Sequence, residues 1–275
     1  MKVLSCRKSR QSGFTLVELI MVIALAGIVA VMISTVMSRP LQGFVDQSRR
    51  AELTDLAASA LNRMARDIQL AVPNSVAVAD SGDEIRFVSI AAAGRYRANQ
   101  PDPDGPRQDP PACTQSVGSC TIDVLSPIVP VSSTLEHWLI IYNTEALIDR
   151  TEPTDGDVSA ISPKVFTWAD GVLSASLSDF RFKYASPQHR FFLANKVVGY
   201  RCSGGKLLRK EFSALDESDY SNASMSVNNV DCDQSSFIYE PANNTRNGLV
   251  TLKLLLTKGG ETITLLQQVH VDNVP

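Results

Sequence analysis

From Leu16 to Met37 the chain is apolar at nearly every position, broken only by Glu18 and a few small or hydroxyl-bearing residues. A helix over this stretch, at about 1.5 Å per residue, spans roughly 33 Å and so crosses a hydrocarbon core of about 30 Å. Past Pro40 the pattern changes. Leu53, Leu56, Ala57, Ala60, Leu61, Met64, Ile68 and Val72 recur at intervals of three and four, with Arg49, Arg50, Glu52, Asp55, Arg63, Arg66 and Asp67 between them. That spacing predicts a helix with one apolar stripe laid against a sheet, and Pro73-Asn74 is expected to end it. Pro40 removes one amide from a helix that runs through it, and Gly27 is a second weak point.

The remainder reads as strands and turns. Glu84-Ile85-Arg86-Phe87-Val88-Ser89-Ile90 alternates, and His137-Trp138-Leu139-Ile140-Ile141-Tyr142 is a near-continuous apolar run suited to a buried strand. Further strands are expected over Phe180 to Tyr184, Arg190 to Leu193, Val197 to Arg201 and Leu207 to Arg209, the last after a Ser203-Gly204-Gly205 turn. Leu249 to Leu256 and Thr262 to Val271 form a hairpin about Gly259-Gly260. Residues 94 to 134 carry Pro101, Pro103, Pro106, Pro110, Pro111, Pro127 and Pro130, too many for a helix or a central strand. Residues 214 to 234 are polar and rich in Asn and Ser, which predicts a surface loop. One long helix followed by antiparallel strands is an α+β chain, and about 200 residues beyond the helix suffice for one domain.

Charge and cysteine usage locate that domain. Lys2, Arg7, Lys8 and Arg10 precede Gly13 with no acidic residue among them. Basic residues stay on the cytoplasmic side while the chain beyond the span is exported. Cys6 lies in this basic stretch, leaving Cys113, Cys120, Cys202 and Cys232. An even number in an exported domain implies two disulfides with three possible connectivities, of which proximity favours Cys113 with Cys120 and Cys202 with Cys232. A zinc site is the rival reading, but no Cys-x-x-Cys pair exists and His137, His189 and His270 are scattered. Asp102-Pro103-Asp104-Gly105 lacks the ligand spacing of a calcium loop. The chain has 26 basic and 29 acidic residues, which speaks against a nucleic-acid partner held by a broad basic surface.

Glu18 is the odd residue of the apolar run. A carboxylate near the start of a spanning helix costs a few kcal/mol, and such groups usually face a protein partner. A cut between Gly13 and Phe14 would discard the basic leader and give Phe14 a new α-ammonium four residues before Glu18. Within one helix that amine would sit one turn from the carboxylate, whereas between staggered helices it would neutralise a neighbour's carboxylate and fix the register of packing. A secretory signal would have a shorter apolar region of about 7 to 15 residues, ending at a small-residue site. Ala24, Gly27 and Ala30 are small residues that let membrane helices approach closely.

Gly13-Phe14-Thr15-Leu16-Val17-Glu18, set between a basic leader and an apolar run, resembles the cleavage and N-methylation motif of type IV pilins and the pseudopilins of type II secretion. The resemblance implies a pilin fold, with residues 1–13 as the cleaved leader, 14–39 as the spanning and filament-core helix, 40–73 as its amphipathic continuation and 74–275 as the β-rich domain with disulfide-held loops. It implies a prepilin peptidase that cuts after Gly13 and methylates Phe14, and a docking role for Glu18. Losing the leader's four basic residues leaves 22 basic against 29 acidic, a net charge of −7.

Ser186 to Phe192, Tyr200-Arg201-Cys202, Arg246 to Val250 and Gln268 to Pro275 are similar to stretches of the minor pilins of mannose-sensitive haemagglutinin (MSHA) pili. They imply a subunit akin to W-type minor pilins and J-type pseudopilins that helps start or cap a filament. The partners implied are other minor pilins, the major pilin and the inner-membrane assembly platform. The implied location is the inner membrane, by a single span with the domain in the periplasm, and then the pilus. An adhesive tip subunit and a J-type subunit of a secretion system are the alternatives. No cofactor is implied. Gly-x-Ser-x-Gly, His-Glu-x-x-His, phosphate-loop and dinucleotide patterns do not occur, which argues against an enzyme.

Overall fold

The computed structural model describes residues 13–102, 104–114, 119–125, 135–169, 171–243 and 246–271, with the backbone alone for 37–41. The expected leader up to residue 12, the side chain of Pro40, and Pro103, Pro127 and Pro130 lie outside the described residues, as does the segment 272–275. The chain divides into two compact units, Met1–Ala51 and Glu52–Pro275. Helix α1 (Leu16–Gln69) passes from one into the other. Among the described residues fourteen strands follow: β1 (Ala77–Val78), β2 (Glu84–Arg95), β3 (Cys120–Asp123), β4 (Trp138–Ile140), β5 (Val158–Ser159), β6 (Thr167–Ala169), β7 (Val172–Ala175), β8 (Arg181–Phe182), β9 (Arg190–Ser203), β10 (Lys206–Phe212), β11 (Ser224–Asn228), β12 (Ser236–Glu240), β13 (Gly248–Lys258) and β14 (Glu261–Val271).

The first unit is described by its helix alone. No part of Leu16–Val36 is buried, and its mean hydropathy is 2.9. Within it the Thr35 hydroxyl donates back to the carbonyls of Val31 and Met32, which removes its polar cost in an apolar segment.

In the second unit the apolar stripe of α1 does what its spacing predicts. Leu53, Ala57, Ala60, Leu61, Met64 and Ile68 are buried against two sheets. One is the six-stranded sheet β1-β2-β9-β10-β11, with β4 also on β9; it contributes Ile85, Phe87, Val198 and Tyr200. The other is the sheet β12-β13-β14, which contributes Phe237, Val250, Leu252, Leu254 and Val269. Two contacts tie α1 to the larger sheet: Asp67 accepts hydrogen bonds from Tyr200 at 2.6 Å and from the Arg209 guanidinium at 2.9 Å. The helix ends at Gln69, four residues before the expected Pro73. From Leu70 the backbone pairs with β2 instead, through Ile90 N–H to Leu70 C=O and Val72 N–H to Val88 C=O. Val72 therefore leaves the stripe and joins a core on the opposite face of the large sheet, with Val88, Trp138, Val197 and Phe212.

An antiparallel β-sheet was expected, and among the described residues the unit has four sheets. The third, β3-β7-β6, packs with the distal ends of β2 and β9 over Tyr96, Phe180, Phe191 and Leu193. The fourth is the pair β5 and β8, and it is parallel. The Pro-rich stretch thus encloses strand β3, and only Arg181–Phe182 of the expected Phe180 to Tyr184 stretch forms a strand. The two strands expected over 190–201 are one, because Asn195 and Ala91 are accommodated as bulges and no turn intervenes. The polar stretch 214–234 is a surface loop only in part, since β11 within it adds an edge to the large sheet and buries Val227.

Candidate functional site

The residues singled out by sequence fall into two groups, one at the start of α1 and one in the second unit. Gly13, Phe14 and Thr15 precede the helix, and Thr15 is its N-cap. The Thr15 carbonyl accepts the N–H of Glu18 at 3.1 Å and of Leu19 at 3.2 Å, while Thr15 Oγ1 lies 3.3 Å from the Glu18 nitrogen. Thr15-x-x-Glu18 has the spacing of a capping box, a signal that the apolar reading of the segment passes over. Glu18 also lies in the first turn, where the helix dipole favours an anion. Phe14 is 80% exposed, and among the described residues a Cβ placed on Gly13 would meet nothing within 4 Å. Gly27 is equally open.

In the second unit the cysteines form the pairs Cys113–Cys120 and Cys202–Cys232, with Cα separations of 4.9 and 5.5 Å. The first closes a short loop beside β3 within the core of Tyr96 and Phe191. The second ties the end of β9 to the segment just before β12.

The three histidines do not come together. His137 is fully buried at the foot of β4, with neither ring nitrogen in a well-formed hydrogen bond. Burial holds it below the ordinary imidazole range; backbone oxygens of Leu135 and Phe166 oppose that, and Lys164 adds to it. His189 sits 3.0 Å from Asp109, which also accepts the Tyr96 hydroxyl at 2.8 Å. His270 is exposed on β14. Asp102 uses a carboxylate oxygen to accept the N–H of Asp104 at 3.2 Å, a local turn bond. Among the described residues no three His, Cys, Asp or Glu side chains gather as a metal site. A cavity of about 450 Å³ opens beside Thr154, Val158, Ile161 and Leu215. Its polar rim is paired internally, Arg150 with Glu145 at 2.9 Å and Thr154 with Asp157 at 3.0 Å.

A family model of the prokaryotic N-terminal methylation motif matches residues 8–34. That match supports the family of type IV pilins and pseudopilins, whose chains are made as prepilins and processed by a peptidase. With the apolar helix it supports membrane anchoring and the context of pilus or pseudopilus assembly. No curated protein and no solved structure matches the chain.

Proposed function

We propose, from the prepilin-type N-terminus this chain carries, that it is a minor pilin which helps start or cap an MSHA-like type IV pilus. The observation that carries the processing part is Gly13. Its backbone does not require glycine and, among the described residues, a side chain would meet nothing there, which agrees with a position read by the peptidase and not by the fold. Cleavage then falls between Gly13 and Phe14, and the exposed Phe14 becomes the methylated terminus. The minor-pilin part rests on the resemblance of short stretches spread over the last third to MshO, a minor pilin of mannose-sensitive haemagglutinin pili. In this reading the other minor pilins, the major pilin and the inner-membrane assembly platform are its partners. Its work is packing and not catalysis.

Glu18 supplies the docking device. The carboxylate at the start of a bare apolar helix is unfavourable in a membrane until a neighbour's Phe14 ammonium meets it, and in a low dielectric that attraction is strong and dependent on register. Mass spectrometry of protein from sheared filaments tests the reading: the chain should begin at N-methylated Phe14. An intact leader in assembled material defeats it. Glu18→Val should still be cleaved and inserted, yet should enter filaments at least about tenfold less, a ratio worth about 1.4 kcal/mol. Incorporation equal to wild type would show that Glu18 is not the docking device.

A further inference from the structure

Among the described residues, the last strand of the second unit has an open outer edge. On β13 the Leu255 carbonyl accepts the Asp231 N–H and the Thr257 N–H donates to the Asn229 carbonyl, both at 2.8 Å, so these residues turn their backbone toward the β12 side. Backbone groups alternate sides along a strand, which makes Leu254↔Leu265 and Leu256↔Ile263 the hydrogen-bonded pairs of the hairpin. The N–H and C=O groups of Thr262, Thr264, Leu266 and Gln268 therefore point away from β13. Among the described residues no strand and no other backbone group pairs with them.

Other edges of the large sheets are blunted. β11 is five residues long and pairs across a register shift at Leu207/Leu208. The outer side of β12 is held by Gly82, whose carbonyl accepts the Phe237 N–H at 2.8 Å. β14, by contrast, keeps a regular register over 11 residues and contains no proline, glycine or lysine. A long regular edge without such guards is a template for another strand. Beside it Leu266 is 62% exposed, and Ile238 on the same face is 53% exposed.

The direction of the packed helix selects the partner. Lys258 reaches Glu52 at 2.6 Å and Gln267 reaches Asn62 at 3.5 Å, so the helix half within this unit runs the same way as β14. A second copy added antiparallel through its own β14 would reverse that half-helix, so that Glu52, where the chain enters this unit, would lie at opposite ends of the two copies. A second copy added in parallel would turn its faces over and leave Leu266 uncovered. We propose that the outer edge of β14 receives, in parallel, an extended strand of a different subunit that also carries an N-terminal methylation motif. This rests on the pilin reading above.

The test uses the full chain in cells that assemble it, with a photo-reactive benzophenone side chain at Leu266. Irradiation should join it to a strand peptide of another motif-bearing chain, identified by mass. Thr264→Pro removes only an outward N–H, so it should leave the melting temperature of the detergent-solubilised chain unchanged and lower the adduct at least about tenfold. If that variant does not fold, Thr264→Lys should lower the adduct in the same way. An adduct with a second copy, or one that persists in the folded variant, overturns the proposal. No adduct from filaments containing mature, N-methylated chain overturns this proposal alone; a chain never processed at Phe14 overturns the pilin reading beneath it as well.

Discussion

Gly199 lies in the middle of β9 where no side chain fits. Its φ is not left-handed, so the demand is one of space and not of backbone conformation. An added Cβ would stand 2.3 Å from the Tyr220 hydroxyl, 2.7 Å from Phe212 Cε2 and 3.1 Å from Arg86 Cγ. Tyr220 comes from the loop between β10 and β11, and its ring meets Phe212 edge-on at 5.1 Å. Phe212 is 1% exposed in a filled core and has nowhere to go, so Gly199→Ala must lift Tyr220. Overpacking costs about 1–3 kcal/mol and loss of the aromatic pair about 0.5–1.5, so the expected cost is about 2–4 kcal/mol. For a unit of this size that is about 5–15 °C in Tm. Urea unfolding of the detergent-solubilised chain, followed through the buried Trp138, measures it directly. In a Tyr220→Ala background the cost of Gly199→Ala should fall by about half, since the phenol is the nearer obstacle. A single variant within about 0.5 kcal/mol of wild type, or a cost indifferent to Tyr220, would refute the steric account.

Replacing Cys202 and Cys232 together by Ser should cost about 2–4 kcal/mol, because the bond closes a long loop in the unfolded chain; urea midpoints measured without reductant check it. His137 is held below about 6.5, its ordinary value, so the unfolded chain takes up a proton before the folded one does. Its contribution is complete above about pH 6.5 and is lost as the pH falls below that, by up to about 1.4 kcal/mol between pH 7.5 and 5.5. The urea midpoint should show this loss, and His137→Phe should remove that part of it. A variant with an unchanged pH profile would count against the assignment.

The features legible in the sequence were those whose pattern is set within a few residues. The apolar span, the stripe from Leu53 to Ile68 and the Gly259-Gly260 hairpin each repeat a short period, and the structure forms all three. What escaped was decided at a distance. β9 looked like two strands because Asn195-Lys196 is polar, yet its bulge is defined only by β2, far away in the chain. β11 and β12 sit in polar surroundings and become strands because β10 and β13 offer them edges. At the N-terminus the cleavage motif was plain. The Thr15 cap was hidden by the same apolar run that made the motif visible.

The pairing of β2 with β9 also sets an order of events. Glu84 lies opposite Arg201, so the central strand pair closes only after more than a hundred residues have followed β2. Loop closure over that separation is slow, and parts of all three cores depend on it, since β9 supplies Tyr200 to one, Leu193 to another and Val197 to the third. A chain delivered from its N-terminus, helix first, therefore presents a twelve-residue strand with no partner while the rest is still arriving. During that interval the stripe of α1 has only part of its sheet to lie on. The newly delivered domain is at its most adhesive to other chains before it is complete, and a partner able to hold β2 in that window would act on the yield of subunits and not on their final stability.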